Sequence, residues 1–190
     1  LKRLGIRPAA IVVAEENHAL RKLVAGEYGY SADGYEWSLD EDGVPTIYLN
    51  DVWHLFETKD GVIGKILKEA IHFGLTSGHR YLVIGGPPCV DLSIAKQSTR
   101  GAIGFAGKKS YHFHVFPYTV AAIRACDDAA HIYALLENAG SMPTVHETYF
   151  AKVMGMPSKQ VYKSACEFTH ATRNRNVLSS TLELGPTIPK

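Results

Sequence analysis

Four short apolar runs limit what this chain can fold into: Ala10–Ala14 (AIVVA), Thr46–Leu49 (TIYL), Tyr81–Ile84 (YLVI) and His131–Leu136 (HIYALL). Each has the length of a buried strand and is too short for a core helix. Segments of helical period separate them. Ile63, Ile66, Leu67, Ala70, Ile71 and Gly74 form one amphipathic stripe. Asn17 is placed to cap a helix whose apolar face is Leu20, Leu23, Val24 and Tyr28. Ser110–Cys126 reads as a helix that Pro117 either kinks or enters near its start, and Thr144–Met154 reads as another. Strands alternating with crossover helices predict an α/β fold with a mostly parallel sheet. Gln160–Ser164 and Asn176–Ser180 are expected as edge strands. Tyr28–Pro45 is expected as a loop or hairpin excursion, and the polar, glycine-containing Asp91–Gly107 as a mobile loop. No repeat or linker marks a boundary, so a single domain over residues 1–190 is expected.

Composition narrows the function classes. With 46% apolar and 21% charged residues the chain reads as an ordinary globular protein. No apolar run reaches the roughly 18 residues of a membrane span, so no membrane partner is expected. The sequence opens Leu1-Lys2-Arg3, without Met or a signal peptide, so Leu1 is not expected to be the native start. Cys89, Cys126 and Cys166 are far apart and odd in number, which gives neither a disulfide framework nor a metal-binding pair. An intracellular location is the expectation, cytoplasmic for a bacterial or phage protein and nuclear for a eukaryotic one.

The net charge of +1 hides an asymmetry. Residues 1–60 carry 6 basic and 11 acidic side chains, and residues 61–190 carry 14 and 8. From Leu92 to Cys126 there is no acid, but there are five bases: Lys96, Arg100, Lys108, Lys109 and Arg124. Such a stretch suits a phosphate-facing surface. Charge alone equally fits a solvated loop.

In open α/β sheets, ligands bind at the carboxyl ends of the strands. Here those ends carry Glu15-Glu16, Asn50-Asp51, Pro87-Pro88-Cys89 and Glu137-Asn138. A carboxylate after the first strand can accept both hydroxyls of a ribose. An acid one strand over can accept from an adenine amino group. The two prolines stiffen the turn that carries the thiol. A thiol and a carboxyl on neighbouring strand ends are a nucleophile and a proton donor.

With these residues in view, GGPPCVDLS (Gly85–Ser93) resembles the Pro-Cys motif of the DNA (cytosine-5) methyltransferases, in a form closest to the animal de novo enzymes. LLENAGSM (Leu135–Met142) resembles that family's Glu-Asn motif, and THATRNRNVLSS (Thr169–Ser180) its Arg-x-Arg motif. AEEN and LNDV resemble its two cofactor motifs, with Glu16 in the ribose position and Asp51-Val52 in the adenine position. Order and spacing fit over nearly the whole chain. The family's Gly-rich cofactor loop and target-recognition region have no counterpart in these residues, and Ala171 stands where a Gln commonly precedes the Arg pair. The resemblance therefore implies a partial catalytic domain, or a reduced homologue, on a Rossmann-like sheet with helices on both faces.

It also implies a chemistry. S-adenosylmethionine would be the methyl donor and S-adenosylhomocysteine the product, held by Glu16, Asp51, Val52 and Pro87. The target cytosine would be flipped out of the duplex. Cys89 would attack its C6, Glu137 would neutralise charge at N3 and Arg175 would contact O2. Ser93, Lys96, Arg100 and Arg173 would contact DNA, and the 91–107 loop would close over the flipped base. Two other readings share these motifs: a non-catalytic subunit that pairs with an active homologue, and a tRNA cytosine-5 methyltransferase. A homo- or hetero-oligomer is compatible with all three. His112 and His114 on a helix point about 200° apart, so no metal is expected. Cys126, Cys166, Trp37 and Trp53 are expected to pack in the core.

Overall fold

The computed structural model describes residues 5–17, 19–20, 23, 35–88, 107, 109–139, 142–154, 161–164 and 174–179. The chain is mixed α/β and divides into two compact units. The first comprises Leu1–Arg80 and Ala121–Ala130; the second comprises Tyr81–Val120 and His131–Lys190.

The first unit holds a three-stranded sheet of β1 (Ile11–Ala14), β2 (Ser38–Leu39) and β3 (Pro45–Leu49), in the order β1-β3-β2. β1 and β3 run parallel, with Ala14 opposite Leu49 at their carboxyl ends. β2 and β3 form an antiparallel hairpin, so of the loop or hairpin expected over 28–45 the described part supplies the first strand and the turn of a hairpin. Asp40 makes the hairpin turn: its Oδ1 accepts from the backbone N–H of Asp42 at 2.9 Å and of Val44 at 2.7 Å. Gly43 takes the left-handed conformation there, with φ 71°.

β3 lies between the other two strands, and Thr46, Ile47, Tyr48 and Leu49 are all buried. Helix α1 (Lys65–Thr76) follows the expected stripe and buries Leu67, Ile71 and Gly74. Each of the two large side chains contributes about 1.5–3 kcal/mol by leaving water. Trp37 edges onto Phe73 of this helix, and its Nε1–H donates to Glu69 at 2.7 Å.

The second unit holds a sheet of order β4-β5-β7-β6, from β4 (Arg80–Gly85), β5 (His131–Ala139), β6 (Val161–Ser164) and β7 (Asn174–Ser179). β7 is antiparallel to both β5 and β6. It is therefore an interior strand, where the sequence suggested an edge, while β6 is an edge as expected. Among the described residues the strands form two sheets that mix parallel with antiparallel ladders, where one mostly parallel sheet was expected.

Helix α2 (Val115–Cys126) follows a 3-10 turn at Ser110–His114. Pro117 is its third residue, within the first turn, where its missing N–H breaks no intrahelical bond. The core gathers Phe113, Val120, Ala134, Leu136, Met142, Ala151 and Met154, the last two from α3 (Thr144–Met154). No helix among the described residues is long and apolar enough to cross a membrane.

Candidate functional site

In the first unit, the parallel ladder continues past β1: the Glu15 N–H donates to the Leu49 carbonyl at 3.0 Å. Residues 15–16 and 50–51 therefore leave the same ends of neighbouring strands, which lie about 4.8 Å apart. The two acids after β1 differ. Glu15 is half-buried and its Oε1 accepts from the Asn17 N–H at 2.8 Å; Glu16 is exposed. Asn17 in turn caps the segment after it, with Oδ1 accepting from Ala19 and Leu20 at 3.0 and 3.3 Å.

Asp51 is exposed and caps a 3-10 turn, Val52–Leu55, through Oδ1 on the Trp53 N–H at 2.9 Å. A carboxylate has about four acceptor sites, so this cap leaves capacity for another donor. Val52 is half-buried, and Trp53 is buried against Phe56. Carboxylates at adjacent strand ends suit the donors of a ribose and an aminopurine, so the residues present fit the expected nucleoside. Tyr35, which no motif marked, donates its hydroxyl to Asn50, and its ring centre lies 4.5 Å from that of His54.

In the second unit, the end of β4 and the end of β5 meet. Gly85 closes β4 and Gly86 follows it; then come Pro87, which is buried, and Pro88, which is half-buried. The glycines are there because side chains crowd them. A Cβ at Gly85 would collide with the Phe116 ring. A Cβ at Gly86 would stand 3.1 Å from Oε2 of Glu137. The Glu137 carboxylate thus lies against the glycine that opens the Pro-Pro turn. Next to it, buried Asn138 donates from Nδ2 to the Pro87 carbonyl at 3.2 Å. Asn138 was visible in the sequence only as a strand-end and motif residue, and Gly86 only as part of a motif.

Arg175 lies in β7, paired with Ala139 of β5 and Lys163 of β6. Glu137 pairs with Val177, so Arg175 sits two residues along the same ladder from that pair. Cys89, Ser93, Lys96, Arg100 and Arg173 lie outside the described residues, as do Lys108, Cys166 and the 91–106 part of the expected loop. Cys126 is described; it is exposed, not a core residue, and carries a free thiol.

His112 and His114 lie on the 3-10 turn. His112 Nδ1 is 3.2 Å from the Lys109 carbonyl, and His114 packs beside Tyr111 and Tyr118. Among the described residues no group of three or more His, Cys, Asp or Glu is arranged to hold a metal ion. A scan of protein-family models finds no match to this chain, and a search of curated proteins finds none either.

Proposed function

We propose that this chain carries the catalytic core of a DNA (cytosine-5) methyltransferase. The observation that carries the reading is the junction of β4 and β5, where Asn138 bonds the Pro87 carbonyl and Glu137 lies against Gly86. It brings Glu137 and Asn138 against Gly86 and Pro87, the residues that lead in sequence to Cys89, which supports a proton donor and a nucleophile sharing one ring.

On this reading Cys89, as thiolate, bonds to C6 of a flipped cytosine and pushes its electron pair toward C5. Glu137 shares its proton with N3 and so offsets the charge that grows on the ring. Arg175 donates to O2. Glu16 and Asp51 hold the ribose and adenine of S-adenosylmethionine, which when bound supplies an electrophilic methyl group for C5. Loss of the C5 proton to a base then expels Cys89 and restores the ring. Ser93, Lys96, Arg100 and Arg173 contact phosphates, giving affinity rather than sequence choice.

The test is covalent trapping. Fluorine at C5 blocks the last elimination, so full-length protein with methyl donor and DNA containing 5-fluorocytosine should give an adduct that survives denaturation. Cys89→Ser should give none. A wild-type protein that forms no adduct and transfers no methyl group to DNA overturns the proposal.

A further inference from the structure

Ala134 and Leu136 are buried on alternate residues of β5, and both join the apolar core. Asn138 is next in that row, and it is only 2% exposed. An apolar side chain would satisfy the packing at lower desolvation cost, since a buried amide must be hydrogen-bonded to be tolerated. The bond it makes explains the choice. Its Nδ2 donates to the carbonyl of Pro87, 51 residues away in sequence. Pro87 and Pro88 both lack an N–H, so this turn has two fewer backbone donors with which to hold itself. A donor from β5 supplies what the turn lacks.

We infer that Asn138 is a positioning residue: it fixes the Pro87-Pro88 turn, and through it the thiol of Cys89, relative to the Glu137 carboxyl beside it on β5. The inference rests on the methyl-transfer reading for the roles of Cys89 and Glu137. The Pro87 link itself is independent of that reading.

The experiment uses full-length protein and two variants. Asn138→Leu keeps the shape and removes the donor. Asn138→Asp removes the donor when ionised and restores one when protonated. Trapping on 5-fluorocytosine DNA is timed in single turnover, with DNA affinity and melting temperature measured alongside. Asn138→Leu should trap about 10²-fold more slowly, because small displacements of reacting groups are costly, with DNA affinity unchanged. Asn138→Asp should be slow at neutral pH and recover toward wild type, compared pH by pH, as the medium is acidified.

Wild-type trapping rates in both variants overturn the inference. So does Asn138→Asp without recovery in acid when it melts like wild type, since the donor is then irrelevant. If wild type itself traps nothing, the methyl-transfer reading falls, and alkylation of Cys89 by iodoacetamide, followed by peptide mass spectrometry, decides the rest. A severalfold difference between wild type and Asn138→Leu upholds the link to the turn, and equal rates overturn it.

Discussion

Replacing Gly85 with alanine puts a methyl group into the space of the Phe116 ring, whereas the same change at Gly86 meets only the end of the Glu137 side chain, 3.1 Å away. The two neighbours should therefore fail differently. At position 85 the ring must move on the order of 1 Å, and overpacking of this kind costs about 1–3 kcal/mol. Alanine recovers about 0.4–1 kcal/mol by restricting the unfolded chain. Phe116 is only half-buried, so part of the strain relaxes toward solvent. The net loss should be about 1–2 kcal/mol, or roughly 2–8 °C in melting temperature for a chain of this size.

At position 86 ordinary contact begins at 3.4 Å, so the carboxylate has to yield by a few tenths of an ångström. A flexible side chain does that at little cost, and melting should stay near wild type. Turnover should not. On the methyl-transfer reading Glu137 is the proton donor, and displacing it should slow single-turnover transfer about three- to tenfold, scaled from the roughly 10²-fold effect of a 1 Å misplacement. Thermal denaturation and single-turnover kinetics on both variants test this. Equal melting of Gly85→Ala and wild type, or an unchanged rate in Gly86→Ala, would refute the reasoning.

Two further outcomes follow from contacts in the first unit, and a third from the proposed methyl transfer. Asp51→Ala should lose the cap on the Trp53 N–H and about 1 kcal/mol of stability. Asp51→Asn keeps an acceptor there, so it should melt like wild type while binding S-adenosylmethionine more weakly by calorimetry; equal melting of both variants counts against the cap. His79 stands at φ 60° and its Nδ1 bonds Asp127, whose side chain is 1% exposed, at 2.8 Å. His79→Ala should cost about 1–3 kcal/mol in denaturant unfolding, and His79→Gly should cost less, because glycine carries no left-handed penalty; the reverse order argues against strain at this turn. Lys96→Ala and Arg100→Ala should weaken DNA binding on every sequence and flatten its salt dependence, measured by filter binding across a salt series; a loss confined to one sequence contradicts phosphate contact.

What was legible in the sequence was what local pattern controls. The four apolar runs became β1, β3, β4 and β5, because short runs between helical stripes have few other ways to bury themselves. The cap at Asn17 and the stripe of α1 appeared for the same reason. Long-range pairing was less visible. β7 carries Asn174, Arg175 and Asn176, a polar start that looks like an edge, yet two antiparallel neighbours enclose it. No local signal encodes that register. The motif register singled out Glu16 for the ribose, and only geometry shows that the neighbouring Glu15 accepts from the Asn17 N–H. The role of Asn138 was hidden because its partner is a carbonyl, a group every residue has. The candidate residues that follow β1 and β3 and that end β5 were legible by their position at strand ends, while Cys89 and the basic residues after it, read from a strand end, a charge run and a motif, lie outside the described residues.

The discontinuous make-up of the first unit bears on how the chain is synthesised. Residues up to Arg80 leave the ribosome as one stretch, but Ala122, Ile123 and the Asp127 that holds His79 belong to the same unit and arrive later. At about 5–20 residues per second, the fifty residues between Arg80 and Ala130 take roughly 3–10 s to appear. Through that interval β1, β3 and α1 wait with part of their core unfilled. A nascent chain stalled before residue 121 should therefore leave the apolar surface of this first unit open to proteases, and one stalled well beyond residue 130 should protect it even while the second unit is incomplete.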